Sequence, residues 1–186
     1  MSSATEKVLA TILPKYLDAN FYQVVCGDAA VSSELLSLRF DKIFFTGSTR
    51  VGKIVAKAAA EHLTPVSLEL GGKSPTIVDK HVVNLDVVAK RIVWGKLVNA
   101  GQTCIAPDYV YCHESIYEKL LEAMKQKIGE FYGPDPQQSR DLSRIISQAH
   151  TDRLEGMLQD SQDCVYYGGQ VNKAERYIQP TLLTSK

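Results

Sequence analysis

The chain has 186 residues, 45% of them apolar and 23% charged, which is the composition of a globular protein and excludes a disordered or fibrous one. That length makes one ordinary domain or two small ones and can bury ~70% of the unfolded surface. The 21 basic and 21 acidic side chains cancel, so no net field favours nucleic acid or an anionic membrane, and no nucleic-acid partner is expected.

The N-terminal stretch Met1 to Lys7 leads into an apolar run that Pro14 and Lys15 interrupt. It has the pattern of neither a signal peptide nor a spanning helix, and a cytoplasmic setting is expected. Beyond it, short apolar runs alternate with helical periodicity, the pattern of βα units on a helix-covered sheet. Strands are predicted at Phe21–Val25, Lys42–Phe45, Val66–Leu70, Thr76–Val78 and Tyr109–Cys112, where β-branched and aromatic residues dominate.

A helix is predicted from the Gly47-Ser48-Thr49 turn, with Val51, Ile54, Val55, Ala58 and Ala59 on one buried face. Val87, Val88, Ile92, Val93 and Leu97 mark a second. A third is predicted to start at Ser115, paired with Glu118 in a capping box, and to carry the stripe Ile116, Leu120, Leu121, Met124 and Ile128 up to Gly133-Pro134. Weaker helical signal runs through His150–Leu158, and Tyr166-Tyr167-Gly168-Gly169 reads as a strand meeting a turn.

The chemistry-bearing residues cluster in three places. Phe44 to Lys53 is a strand, a small-residue turn and a helix start. Exposed N–H groups at such a start suit a diphosphate, and Gly47 lets a ligand approach; Ser48 and Thr49 equally suit a plain N-cap. Glu69, at the end of an apolar strand, is followed by Gly71 and Gly72, which permit tight backbone geometry. Its carboxylate reads either as a general base or as a surface salt-bridge partner.

Cys104 follows Gly101-Gln102-Thr103, in a loop between a helix and a strand. Loops on rigid frames are where nucleophiles are placed. An ordinary thiol of pKa ~8.5 is only ~3% thiolate at pH 7, so a nucleophilic cysteine needs help from neighbouring N–H groups. Cys26, Cys112 and Cys164 read as buried, inert thiols. The four cysteines show neither the paired spacing of a zinc site nor the density of a disulfide scaffold, so no metal is expected.

The turn Gly47-Ser48-Thr49-x-x-Gly52, the stretch Leu68 to Pro75 and the loop Asn99 to Cys104, in that order and separation, resemble the aldehyde dehydrogenase superfamily. Trp94-Gly95-Lys96, Ala106 to Tyr109, Phe131-Tyr132-Gly133 and Gln138 to Asp141 resemble its class 3 branch, which includes fatty aldehyde dehydrogenases. The resemblance implies an α/β architecture that is part of the aldehyde dehydrogenase fold. Residues 1–70 would be the back half of a Rossmann-like dinucleotide-binding domain, and residues 71–186 the front half of the catalytic α/β domain.

It also implies oxidation of an apolar, medium to long aldehyde to the acid with NAD or NADP. Cys104 would be the nucleophile, passing through a thiohemiacetal and a thioester, and Glu69 the base for hydrolysis. Gly47 and Ser48 would face the cofactor diphosphate, with Val51 and Gly52 supporting the pocket and Leu70 beside the nicotinamide. Trp94 and Thr103 would line the aldehyde tunnel; core packing is the other reading of Trp94. Arg50 reads as a solvated side chain. Glu69 favours hydrolysis over transfer to coenzyme A, because acylating relatives generally lack a glutamate there.

The family's catalytic unit is more than twice this length. Its ribose-binding segments, an oxyanion-hole asparagine and the dimer-forming strands of its commonly homodimeric members have no counterpart in the sequence. Loss of one oxyanion donor typically costs ~10²–10³ in rate, so the isolated chain is expected to have little or no activity. The rival expectation is a non-catalytic remnant that binds partners through exposed strand edges and apolar faces.

Overall fold

In a computed structural model, residues 2–184 are described, and the chain divides into two compact units, Met1–Leu70 and Gly71–Lys186. The first unit carries helices α1 (Ser3–Tyr16) and α2 (Ala29–Leu36), strand β1 (Ile43–Thr46), helix α3 (Thr49–Ala60) and strand β2 (Val66–Glu69). β1 and β2 pair in parallel, with Ile43 opposite Val66 and Thr46 opposite Glu69. A parallel pair needs a crossover, which α3 supplies. α3 buries Gly52, Val55 and Ala59. Ile54, expected on that face, is instead 52% exposed, so the buried stripe is narrower than the periodicity suggested.

Neither α1 nor α2 was apparent from the periodicity, because no residue of either is buried and the apolar signal has no core to face. α1 runs through Pro14 to Tyr16. A proline in the last turn forfeits one backbone bond, and the helix still closes with Leu17 N donating to the Leu13 carbonyl at 3.0 Å. α2 is capped by Asp28, whose carboxylate accepts from Ala30 N and Val31 N. The strand expected at Phe21–Val25 does not form. Its residues favour extended backbone, but a strand exists only through a ladder partner, and none among the described residues pairs with it.

The second unit repeats the crossover: β3 (Ser74–Val78), α4 (Leu85–Leu97), β4 (Pro107–Cys112), with β3 and β4 parallel. Helix α5 (Tyr117–Tyr132) follows, then α6 (Gln148–Asp160) and short strands β5 (Val165–Tyr167), β6 (Val171–Asn172), β7 (Tyr177–Ile178) and β8 (Leu182–Leu183). β5 pairs with β8 and β6 with β7, both antiparallel. The core lies where α4 and α5 meet one face of β3, and it contains Val78, Ala89, Ile92, Val93, Leu120, Met124 and Ile128. The alternate strand positions Ile77 and Tyr111, a register pair, face outward and are 78% and 64% exposed.

Ser115 does not cap the third predicted helix. Its N–H and hydroxyl meet the His113 ring nitrogen Nδ1 at 3.2 and 2.9 Å, and a 3-10 turn over Glu114–Ile116 precedes α5. The histidine ring takes the orphan donor that a Ser-x-x-Glu box would have used. Gly133 does terminate α5, with φ 78°. Gly168 and Gly169, φ 86° and 89°, turn the chain after β5.

Candidate active site

In the first unit, the small-residue turn and the strand-end carboxylate are neighbours. Gly47 N donates to the Glu69 carbonyl at 3.0 Å, extending the β1/β2 ladder by one bond. Ser48 is the N-cap of α3, its hydroxyl accepting from Val51 N at 3.3 Å. The N-cap reading of Ser48 is therefore realised. It leaves other first-turn N–H groups of a twelve-residue helix without intrahelical acceptors, which is the chemistry a diphosphate uses.

Both glycines of the turn are also closely packed. A Cβ on Gly47 would stand 2.6 Å from the Phe45 ring, and one on Gly52 would stand 2.8 Å from Leu70 Cδ2. Leu70, half-buried, thus lies against the face of α3 that starts at the turn. The Glu69 side chain is exposed, and no ion pair engages it among the described residues.

In the second unit, Cys104 occupies an exposed turn between α4 and β4. The chain enters it through a left-handed run: Asn99, Ala100 and Gly101 have φ 54°, 53° and 78°. Each non-glycine residue in that region costs ~1–2 kcal/mol, so the run must be held from outside.

Three contacts brace the turn, at Gly72, Asp108 and Gln102. Gly72 packs directly on the turn, its would-be Cβ 3.0 Å from the Cys104 carbonyl oxygen; Gly71 faces open space. Asp108, at the start of β4, pairs with Lys73 beside Gly72 and with Lys96 at the end of α4, the latter at 3.5 Å. Burial pushes the Asp108 carboxyl up, but the hydrogen bond from Lys73 and the charges of Lys96 and Lys73 outweigh it and hold the pKa below the ordinary value. Thr103, exposed, accepts from Ala106 N through its carbonyl at 3.1 Å.

Gln102 fastens the turn to a distant segment. Its amide donates to the Asn99 carbonyl at 2.9 Å and to the Arg144 carbonyl at 3.1 Å, and its Oε1 accepts from Ile146 N at 2.9 Å. Its partners lie 42 and 44 residues away, so no local pattern disclosed them. The only sequence signal was its place two residues before the cysteine.

Trp94 is 64% exposed, which excludes core packing within this chain. Ile105, directly after Cys104, is 79% exposed. Of the other thiols, Cys26 is exposed and Cys112 and Cys164 are half-buried. The expectation of three buried thiols is thus corrected: Cys26 follows the unpaired Phe21–Val25 segment, Cys112 ends β4, and Cys164 directly precedes β5.

Two parallel βαβ crossovers, a helix N-terminus behind a small-residue turn and an exposed cysteine in a braced turn place the chain among α/β proteins. A model of the Aldehyde dehydrogenase family matches residues 1–186, and the chain belongs to that family. It is 52% identical over 176 residues to "Aldehyde dehydrogenase, dimeric NADP-preferring" of Rattus norvegicus, covering 95% of this chain and 38% of that protein. It is 49% identical over 184 residues to "Aldehyde dehydrogenase family 3 member A2" of Pongo abelii, covering 99% and 37%.

Among solved structures, the chain superposes on Staphylococcus aureus AldH with TM-score 0.88 and 43% identity, over 97% of this chain and 39% of that one. The NAD-dependent aldehyde dehydrogenase of Sinorhizobium meliloti gives TM-score 0.86 at 29% identity, over 98% and 38%. The fold is therefore part of the aldehyde dehydrogenase fold, and the chain spans about two-fifths of the length of the relatives it matches. Among the described residues, no helix is long and apolar enough to cross a membrane.

Proposed function

We propose that the chain carries the nucleophile of an aldehyde oxidation in which an apolar aldehyde becomes a carboxylic acid. Cys104 adds as thiolate to the carbonyl carbon, giving a tetrahedral adduct that collapses to a thioester as the C–H bond gives up its hydride. Bound NAD or NADP supplies the two-electron acceptor for that hydride. Glu69 takes a proton from the water that attacks the thioester, and the acid leaves as the Cys104 sulfur recovers its proton.

In this reading, residues 1–70 form part of the dinucleotide-binding domain and residues 71–186 part of the catalytic domain. The Gly47-Ser48 turn at the N-terminus of α3 would face the diphosphate, Val51 and Gly52 would support the pocket from the helix, and Leu70 would lie beside the nicotinamide. Trp94 and Thr103, both exposed in the unit that carries Cys104, line the aldehyde path. Relatives are named as NADP-preferring and dimeric or as NAD-dependent, which supports a nicotinamide cofactor for this chain and leaves NAD and NADP as the two alternatives.

The observation that carries the reading is the braced, exposed turn at Cys104, with Gly72 against its carbonyl and Gln102 anchoring its approach. The test reads the adduct rather than turnover. An electrophilic analogue of a long-chain aldehyde should label Cys104 well ahead of Cys26, Cys112 and Cys164. With aldehyde and NAD(P), Glu69→Gln should accumulate the acyl-enzyme. Equal labelling of all four thiols would refute the assignment.

A further inference from the structure

We propose that Gln102 is a positioning residue through which the segment 142–146 and the β6/β7 hairpin hold the Cys104 turn. The significance of that turn rests on the aldehyde-oxidation reading; the coupling itself does not. The left-handed run at Asn99 and Ala100 cannot be the resting choice of an unrestrained loop. Gln102 satisfies the turn locally by bonding the Asn99 carbonyl, and with the same amide reaches the Arg144 carbonyl and Ile146 N–H. Asn99 returns the bond, its Nδ2 donating to the Gln102 carbonyl at 3.2 Å.

The far end is itself anchored. The Arg144 guanidinium donates to the Gln137 carbonyl at 2.5 Å and to Glu175 at 3.3 Å, and lies 5.2 Å over the Tyr177 ring of β7. Ile145 N donates to the Arg176 carbonyl at 2.9 Å, and the Arg176 side chain donates back to the Ile146 carbonyl at 2.9 Å. One amide side chain thus joins the two halves of this network. A hydrogen-bonded chain of this kind transmits a perturbation only if its link is intact, and this distinguishes a positioning residue from one that merely adds stability.

The test is a double-substitution cycle on the full chain with Gln102→Ala and Arg144→Met. Two readouts are followed: amide hydrogen exchange over residues 99–107, and iodoacetamide labelling of Cys104 referenced to Cys112 and Cys164 in the same molecule. Gln102→Ala should speed exchange over 99–107 about tenfold or more, with exchange in the α4/α5 core unchanged.

Arg144→Met should speed exchange in the same stretch several-fold, although it lies outside it. The double variant should be no faster than Gln102→Ala alone, and Cys104 labelling should follow the same non-additive pattern while Cys112 and Cys164 stay constant. Gln102→Glu, which keeps the Ile146 acceptor and the volume but gives up both donors, carries the same cycle if Gln102→Ala does not fold. An Arg144→Met variant that leaves 99–107 unchanged, or effects that multiply, would overturn the proposal. Failure of the aldehyde-oxidation reading would show only in the trapping of Cys104, which this cycle does not use.

Discussion

The contact between Gly72 and the Cys104 carbonyl makes a paired prediction from two adjacent glycines. Neither Gly71 nor Gly72 has a left-handed φ, so alanine is tolerated by the backbone at both positions and only the surroundings differ. At Gly71 a Cβ meets nothing within 4 Å, and Gly71→Ala should stabilise the protein by about 0.4–1 kcal/mol through lost freedom of the unfolded chain. At Gly72 the Cβ stands 3.0 Å from the Cys104 carbonyl oxygen, which belongs to the backbone and cannot rotate away. Overpacking of that kind costs ~1–3 kcal/mol, and subtracting the same entropic gain leaves Gly72→Ala destabilising by about 0–2.5 kcal/mol, and in every case less stable than Gly71→Ala.

The assay is the denaturant midpoint at constant slope for both variants, combined with the alkylation rate of Cys104. Relief of the clash moves the carbonyl, so the Cys104 rate should change in Gly72→Ala and not in Gly71→Ala. If Gly72→Ala proves as stable as Gly71→Ala with unchanged Cys104 alkylation, the turn yields freely and the bracing argument fails.

Two further outcomes follow from the backbone and from titration. Ala100→Gly removes a Cβ from a φ of 53° and should stabilise by about 0.5–1 kcal/mol, whereas Gly101→Ala, at φ 78° with its Cβ 3.3 Å from the Lys96 carbonyl, should destabilise by about 1–3 kcal/mol; thermal or denaturant unfolding measures both. Stability should also fall in alkali. Lys127 donates to Asp86 and Glu130, and these bonds, Asp86 first, raise its pKa above the ordinary 10.5. Burial, with Asp135 nearby, pushes the Tyr177 phenol up to about 12 from an ordinary value of 10.0.

Both groups have raised pKa values in the folded protein. Their contributions are complete below the ordinary values and are lost as pH rises through the folded ones. Unfolding midpoints measured from pH 7 upward should hold until about pH 10 and then drop. The gap between wild type and Lys127→Met should close above 10.5, and Tyr177→Phe should lose less stability than wild type as pH approaches 12.

Local chemistry made several features legible in the sequence. The crossover helix of the first unit, the α4 and α5 stripes, the Gly133 stop and the placement of Cys104 between a helix and a strand depend on residue spacing and on backbone preferences that act over a few positions. The residues Gly47, Ser48, Glu69 and Cys104 were visible for the same reason. Each sits at an element boundary, where small, capping or turn-forming residues interrupt a periodic run.

What depended on partners remote in the chain was not legible. The residues Phe21–Val25 have strand chemistry but lack a ladder, and Ile54 has the right spacing but no neighbour to bury it. Ser115 lost its capping role to a histidine ring two residues earlier. The separate duties of Gly71 and Gly72, and the reach of Gln102 to Arg144 and Ile146, exist only after the chain has folded back on itself. Spacing determines which face of an element is apolar; the tertiary structure alone decides what that face, or a single amide, finds within bonding distance.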